Sequence, residues 1–357
     1  MTEEGGRVKM KKEKRRIQLT GGSTYIISLP IKWVKELGIK KGDEMLLLRY
    51  GRNTLLLMPE RGGVESGDER IMRRVEFKLS DREGFEENLR YLIALYLVGY
   101  DEIKLLAEHG FNAEERKRIK EEVRKRLIGM EVVGESSTEI QLQSFLKYED
   151  FTLCDAIKRM RDIVLAMLED ALSAIENHDI NLARDVMERD NEIDRFYLLI
   201  VRQLKAIMSD YELSQKIGIG SPRNSLGYRI IVKSIERIGD HIENIAFQSI
   251  INEIIPEERI SMIRDIGDHV KKVFADVMES LSEMDMKRSN SVIKETDEIV
   301  KHVEEAYESV LTDKGDMTVK IHVLSILESL ARISKYCADI AEVTINMCIK
   351  SAEEEEF

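Results

Sequence analysis

Long apolar runs are missing from this chain of 357 residues. No stretch approaches the roughly 20 residues that cross a bilayer, which excludes a helical membrane span. Cysteine is scarce: Cys154, Cys337 and Cys348 are scattered, odd in number and form no C-x-x-C pair. That excludes a disulfide framework, and the three read as buried thiols in a reducing compartment. Only four prolines interrupt the chain, while 34% of residues are charged, a balance that suits a helix-rich protein. The six histidines do not cluster in the sequence. The first residues are charged and offer no secretory leader, so the cytoplasm is the expected location. Methionine is plentiful, with sixteen residues, but pairs such as Met160 and Met167 sit at helical spacing and read as core filling rather than a copper site.

What is present is a pair of acidic helical motifs. Asp190 and Asp194 lie in ERDNEIDRF, and Glu236, Asp240 and Asn244 lie in SIERIGDHIENIA. Residues four apart share one face of a helix, and the rest of each stripe is apolar. A single acidic pair at this spacing is usually a solvated face. Two pairs flanked by apolar residues point toward a helix interface, where carboxylates are costly unless paired or bound to a cation. Facing carboxylates on two helices are how bundles hold metal. Gly239, between Glu236 and Asp240, costs about 1 kcal/mol in a helix interior, so close approach of a ligand or a second helix is expected there. His241 falls about 100° round the helix from Asp240 and reads as a neighbour, not a ligand.

These segments resemble the PhoU family of phosphate-uptake regulators, whose motifs read D/E-x-x-x-D and E-R-I-G-D-x-x-x-N-I-A. The matching residues are Asp190 to Asp194, then Glu236 to Asp240 and Asn244 to Ala246. The resemblance implies tandem three-helix bundles. It also implies a bound divalent or trivalent metal, iron first, with zinc or another divalent ion as options. Asp190, Asp194, Glu236 and Asp240 are the expected ligands, with Asn244 as a carbonyl ligand or a group behind them. Residues 151–254 are expected to form the first bundle and 257–350 the second, with Pro256 between them and Pro222 in the break before the third helix. The second bundle repeats the first unequally. ESLARISKYCADIAEV aligns with KSIERIGDHIENIAFQ, so Ala331 replaces Glu236, Lys335 replaces Asp240 and Asp339 replaces Asn244. On the preceding helix Lys301 is read at the place of the second aspartate. The second bundle should therefore lack a full metal site.

The amino-terminal end is different in kind. Residues 1–60 carry 13 Lys/Arg and 7 Asp/Glu, a net charge of +6 in a chain whose total is −12. Segregated positive charge is an electrostatic footprint for nucleic acid. Short strands are expected around Ile17 and Leu19, at Tyr25–Leu29, at 45–50 and at 54–58. Gly21-Gly22 makes a turn, and Pro30 sits in the first turn of a short helix ending at Gly38. The string from Ser28 to Asp43, SLPIKWVKELGIKKGD, resembles the AbrB/SpoVT/MazE type of swapped-hairpin DNA-binding domain. That domain is a half-fold, so the resemblance implies a homodimer through this end. Lys12, Lys14, Arg15, Arg16 and Lys32 are candidate phosphate contacts, and Thr24 a candidate base or sugar contact. In some members the fold serves only dimerisation or protein contact.

Residues 61–70 read as a linker. Residues 71–148 read as a small α/β domain with a mixed sheet, without a phosphate loop, a nucleophilic-serine context or metal-ligand spacing. The expected architecture is thus multidomain: a β-rich swapped hairpin, a small α/β domain and all-α tandem bundles. The expected function is phosphate-responsive regulation of phosphate uptake through DNA. Phosphate is a possible ligand, and a phosphate transporter or sensor kinase a possible partner. Two alternatives stand. One is an adaptor for such a transporter or kinase without DNA binding. The other is a carboxylate-bridged metalloenzyme, disfavoured because di-iron bundle enzymes add Glu-x-x-His pairs that these motifs lack. The protein is therefore expected not to be an enzyme.

Overall fold

The computed structural model describes residues 12–49, 53–59, 72–80, 84–148, 150–208, 211–219, 223–250 and 255–349. Lys9 and Lys11, in the basic run, and the linker at 61–70 lie outside the described residues. The chain divides into two compact units, one reaching Arg70 and the other spanning Ile71–Lys350.

In the first unit β1 (Gln18–Thr20) pairs antiparallel with β2 (Thr24–Ile26). The turn between them needs Gly21 and Gly22, whose φ angles are +62° and +80°, values a side chain disfavours. The second strand stops at Ile26, short of the expected Leu29. Pro30 caps α1 (Ile31–Glu36) one place before the helix, not inside it. β3 (Met45–Arg49) and β4 (Leu55–Pro59) form a second antiparallel pair. Two sheets of two strands cannot enclose a core. Pro30 is the one buried residue among this unit's described residues. Ile17, Tyr25, Leu47 and Leu55 are each more than 60% exposed.

The second unit opens with the α/β domain: β5 (Arg74–Lys78), α2 (Phe85–Val98), β6 (Glu102–Leu106), α3 (Ala113–Arg126), β7 (Met130–Glu135) and β8 (Glu139–Ser144). Its sheet runs β5-β6-β8-β7, with β5 and β6 parallel across α2 and the other neighbours antiparallel. Leu92, Tyr96, Ile103, Leu105, Ile140 and Leu142 fill the space between sheet and helices.

Seven helices follow among the described residues: α4 (Leu153–Asn177), α5 (Ile180–Ile207), the short α6 (Tyr211–Lys216), α7 (Asn224–Ile250), α8 (Glu257–Glu283), α9 (Met286–Thr312) and α10 (Met317–Cys348). The long ones form two three-helix bundles that share one continuous hydrophobic core. Gly267 of α8 lets Leu172 of α4 approach so closely that a Cβ there would meet its side chain at 2.6 Å.

The repeat can be put in register from the backbone. α4 ends at His178 and α8 at Met284, the two positive-φ residues other than glycine among the described residues. Asp179 and Asp285 come next, and each caps the following helix by accepting from the amides two and three residues on. Positions in α4 and α5 thus correspond to positions 106 later in α8 and α9 (178 to 284, 179 to 285). This register puts Thr296 opposite Asp190 and Val300, not Lys301, opposite Asp194.

The α/β domain is anchored to the first bundle by Arg202 of α5, which is fully buried. Its guanidinium donates to Asp101 Oδ1 at 2.9 Å and to the carbonyls of Tyr96 and Tyr100. The thiols differ from expectation: Cys337 is buried, but Cys154 is exposed and Cys348 half-buried. No helix among the described residues is long and apolar enough to cross a membrane.

Candidate metal centre

α5 and α7 pack side by side, and their acidic stripes meet where Gly239 removes a side chain. A Cβ at Gly239 would stand 2.7 Å from Asp190 Oδ1 and 2.8 Å from Ile193 Cδ1. The glycine therefore admits a second helix, carrying the carboxylate of Asp190 against α7.

Around this contact the acids crowd one another. Burial, reinforced by Asp194, Glu243, Asp240 and Glu236, pushes Asp190 up to about 7. Burial and the charges of Glu236 and Asp240 push Asp194 to about 6, against the pull of Arg126 and Lys233. Burial also raises Asp240, opposed by Lys233 and Arg237. Glu243 is raised by burial and by Asp240. Glu236 is nearly buried, at 9% exposure, and both its oxygens accept from Lys233. Arg237 Nη1 lies 3.6 Å from Asp240 Oδ2. Five carboxylates thus share a site with three cations; burial raises the proton affinity of four of them, and neighbouring carboxylates add to it at Asp190, Asp194 and Glu243.

Asn244 is not part of this cluster. Its amide nitrogen donates to Ser325 Oγ at 3.2 Å and Ser329 Oγ at 2.8 Å on α10, and its oxygen accepts from Gln248. It ties the two bundles together. Glu243 takes its place beside Asp190, and the sequence held the signal for this. Glu243 lies seven residues after Glu236, about 20° from it around the helix, whereas Asn244 lies eight after, about 80° away. Lys233 and Arg126 were also missed. Arg126 belongs to the last turn of α3 in the α/β domain, and no local motif links it to the bundle. His241 faces Tyr336 of α10, ring centroids 5.9 Å apart, and not the acids.

In the second bundle the same contact is neutral. Thr296 takes the place of Asp190 and Ser334 that of Gly239, and Thr296 Oγ1 donates to the Ser334 carbonyl at 3.2 Å. Ala331, Lys335 and Ala338 stand where the first bundle has Glu236, Asp240 and Glu243.

The cluster's chemistry suits a hard cation. All its donors are carboxylate oxygens, and they carry more negative charge than the neighbouring cations balance. In the side chains as they stand, Lys233 holds both oxygens of Glu236. Among the described residues no group of three or more His, Cys, Asp or Glu side chains is already arranged to hold a metal ion.

The candidate DNA contacts all belong to the first unit. Lys12, Lys14, Arg15 and Arg16 are exposed on the segment leading into β1, Thr24 is exposed at the start of β2, and Lys32 is exposed on α1. Arg15 is ion-paired with Glu13 at 2.7 Å.

A carboxylate cluster between two helices of a tandem three-helix bundle, joined to a small β-rich domain without a core of its own, defines the class of protein. Comparison with known families makes it particular. Residues 157–248 and 263–344 each match the PhoU domain. Residues 18–65 match the family described as antidote-toxin recognition MazE, bacterial antitoxin. The helical half of the chain belongs to the PhoU family, in two copies of its domain, and the amino-terminal segment is a domain of the MazE/AbrB antitoxin type. Among similar proteins is the phosphate-specific transport system accessory protein PhoU homolog of Caulobacter vibrioides (strain NA1000 / CB15N). It is 25% identical over 193 residues, 52% of this chain and 82% of that protein. The corresponding homolog of Xylella fastidiosa (strain Temecula1) is 26% identical over 195 residues, 53% of this chain and 79% of its own. A solved structure of the phosphate transport system regulatory protein PhoU from Streptococcus pneumoniae aligns with a TM-score of 0.49 and 18% identity, covering 54% of this chain and 91% of that one.

Proposed function

We propose that this protein is a phosphate-responsive regulator of phosphate uptake that acts on DNA. The observation that carries the reading is the union, in one chain, of two PhoU domains with a basic domain of the MazE/AbrB type. The first bundle would be the sensor. Asp190, Asp194, Glu236, Asp240 and Glu243 would hold a hard cation, iron first among the candidates and zinc or another divalent ion next. A bound cation of this kind supplies open coordination positions that phosphate oxygens can fill. Lys233 and Arg237 would release the carboxylates they now hold and offer their charge to the anion. Asn244 keeps its place between the bundles.

The amino-terminal unit would dimerise, since its exposed leucines and isoleucines need a partner to form a core. Doubling the unit doubles its positive charge, and Lys12, Lys14, Arg16 and Lys32 would then contact phosphates, with Thr24 nearer the bases. Arg15 is the weaker candidate because Glu13 already neutralises it.

A second reading has a specific observation in its favour. The curated relatives are accessory proteins of phosphate-specific transport systems. In this reading the protein is an adaptor for a transporter or sensor kinase, and its amino-terminal domain only dimerises. Recovery and sequencing of genomic fragments bound by the purified protein, with and without inorganic phosphate, separates the two. Enrichment near phosphate-transport genes that changes with phosphate supports the regulator. No enrichment at moderate salt moves the adaptor to first place.

A further inference from the structure

The α/β domain holds a cavity at one end of its sheet. β5 and β6 are parallel, and β6 and β7 both run antiparallel to β8, so β5, β6 and β7 share one direction. In an open α/β sheet, ligands bind in the crevice outside the carboxyl ends of such strands. Here that end carries Leu79 and Ser80 after β5, the loop 107–112 after β6, and Ser137 after β7. Residues from all three segments line one cavity of about 770 Å³ that reaches between the first turns of α2 and α3. The volume lies inside the roughly 300–1,000 Å³ range of small-molecule sites.

The floor of the cavity, with Leu92 and Leu105, belongs to the domain core. Its apolar walls do not: Leu79, Phe85 and Ala107 are only half-buried and present surface to the opening. Gly110, at φ +82°, closes one end; a Cβ there would stand 2.9 Å from the Ser137 carbonyl oxygen, which accepts from the Phe111 amide at 2.7 Å. Asn88 fixes the other end, accepting from the Ser80 amide and donating to the Ser80 carbonyl, both at 3.2 Å. Across the mouth the Arg118 guanidinium lies 3.8 Å over the Phe85 ring. One of its nitrogens is 3.4 Å from Glu86, an exposed and therefore weak pair that an incoming anion can displace. Glu115 is the one acid lining the cavity among the described residues, and it is tied back to the Asn112 amide at 3.0 Å.

An open aromatic and aliphatic wall beside a guanidinium recognises an apolar body with a negative group at one end. We infer that this cavity binds a small organic anion with an aromatic or aliphatic body. The apolar part lies against Leu79, Phe85 and Ala107, and the charge meets Arg118. The cavity gives the α/β domain a ligand of its own. The inference does not depend on the metal site or on DNA binding.

The test titrates the full chain with anilinonaphthalene sulfonate, an aromatic anion whose fluorescence rises when it leaves water. Phenylnaphthylamine, the same ring system without the sulfonate, reports apolar contact alone. Ala107→Phe fills the cavity with a ring, and Arg118→Ala removes the cation at an exposed position. Lys117→Ala, its neighbour in the chain, exposed and outside the cavity, is the control. Binding elsewhere on the chain is common to all of these proteins and cancels in the comparison. The expected affinity for the sulfonate is about tenfold weaker in Ala107→Phe, about threefold weaker in Arg118→Ala and unchanged in Lys117→Ala. The neutral probe should lose affinity in Ala107→Phe only. Equal sulfonate affinity in wild type and Ala107→Phe overturns the inference, and so does an Arg118→Ala effect that is absent or is the same for both probes. Circular dichroism and melting temperature show whether Ala107→Phe keeps the fold; if it does not, Arg118→Ala, on the surface of α3, carries the test.

Discussion

Replacing Gly239 by alanine tests the geometry of the acidic contact from both sides. In a helix that met only solvent, this change would stabilise the fold by about 1 kcal/mol, because alanine loses less backbone freedom than glycine. Here the new methyl carbon would stand 2.7 Å from Asp190 Oδ1 and 2.8 Å from Ile193 Cδ1. Both atoms end side chains, so the backbone need not move, but Ile193 is fully buried and has little room. Overpacking of that kind costs about 1–3 kcal/mol. The helix gain offsets part of it, leaving a net loss of about 1 kcal/mol. Asp190 must turn away from α7, so the same variant should bind a hard divalent cation about tenfold more weakly. Urea unfolding gives the first quantity and isothermal titration with Mn²⁺ the second. A gain of about 1 kcal/mol with unchanged cation affinity would refute the reasoning, because it would mean that the two helices do not meet at Gly239.

Other expectations follow from the same geometry. Arg202→Met removes the buried Arg202–Asp101 pair and should cost about 3–5 kcal/mol in denaturant unfolding; a loss below 1 kcal/mol would show that the α/β domain is not anchored there. Asp190 and Asp194 have folded values near 7 and 6, above their unfolded value of 3.8. The folded, metal-free protein therefore binds more protons than the unfolded chain over that window. Their contribution is present below the unfolded value and is lost as pH rises through 6 and 7. Metal-free protein should thus melt lower at pH 7.5 than at pH 5.5, and Asp190→Asn with Asp194→Asn should flatten that slope; an unchanged slope counts against the crowding. Leu47→Glu with Leu55→Glu puts charge on two exposed apolar positions of the first unit and should convert dimer to monomer in sedimentation. A dimer that survives this change is held elsewhere.

Much of the architecture was legible in the sequence because punctuation is strong. Gly21-Gly22, Pro30 and Gly38 marked the short elements of the amino-terminal unit, and Pro256 the start of the second bundle; Pro222 lies outside the described residues. The 3.6-residue period did the rest, and the mixed sheet followed from the order of elements. Side-chain directions were less legible. Asn244 shares a four-residue spacing with Asp240, but spacing by fours drifts about 40° at each step. Two steps carried Asn244 off the stripe and toward α10, while Glu243 stayed on it. In the sequence alone the two repeats have no fixed point, and Lys301 falls one residue past the true counterpart of Asp194. The turn residues His178 and Met284 provide one, and they place Val300, not Lys301, opposite Asp194. Long-range partners had no local signal. Arg202 looks like one more arginine in an amphipathic helix until the α/β domain is folded against it. His269 and His302 are 33 residues apart in the chain and meet only because α8 and α9 pack together.

The central claim is that the first bundle holds a hard cation and the second does not. Because the two share one core, the measurement belongs on the full chain. Purified protein would be stripped of metal, titrated with Fe²⁺ under anaerobic conditions or with Mn²⁺, and compared with Asp190→Asn/Asp240→Asn and with Lys335→Ala. The expected result is saturable, stoichiometric binding in wild type and in Lys335→Ala, and its loss in the double variant. Binding that survives the double variant, or no binding in the wild type, would contradict the account.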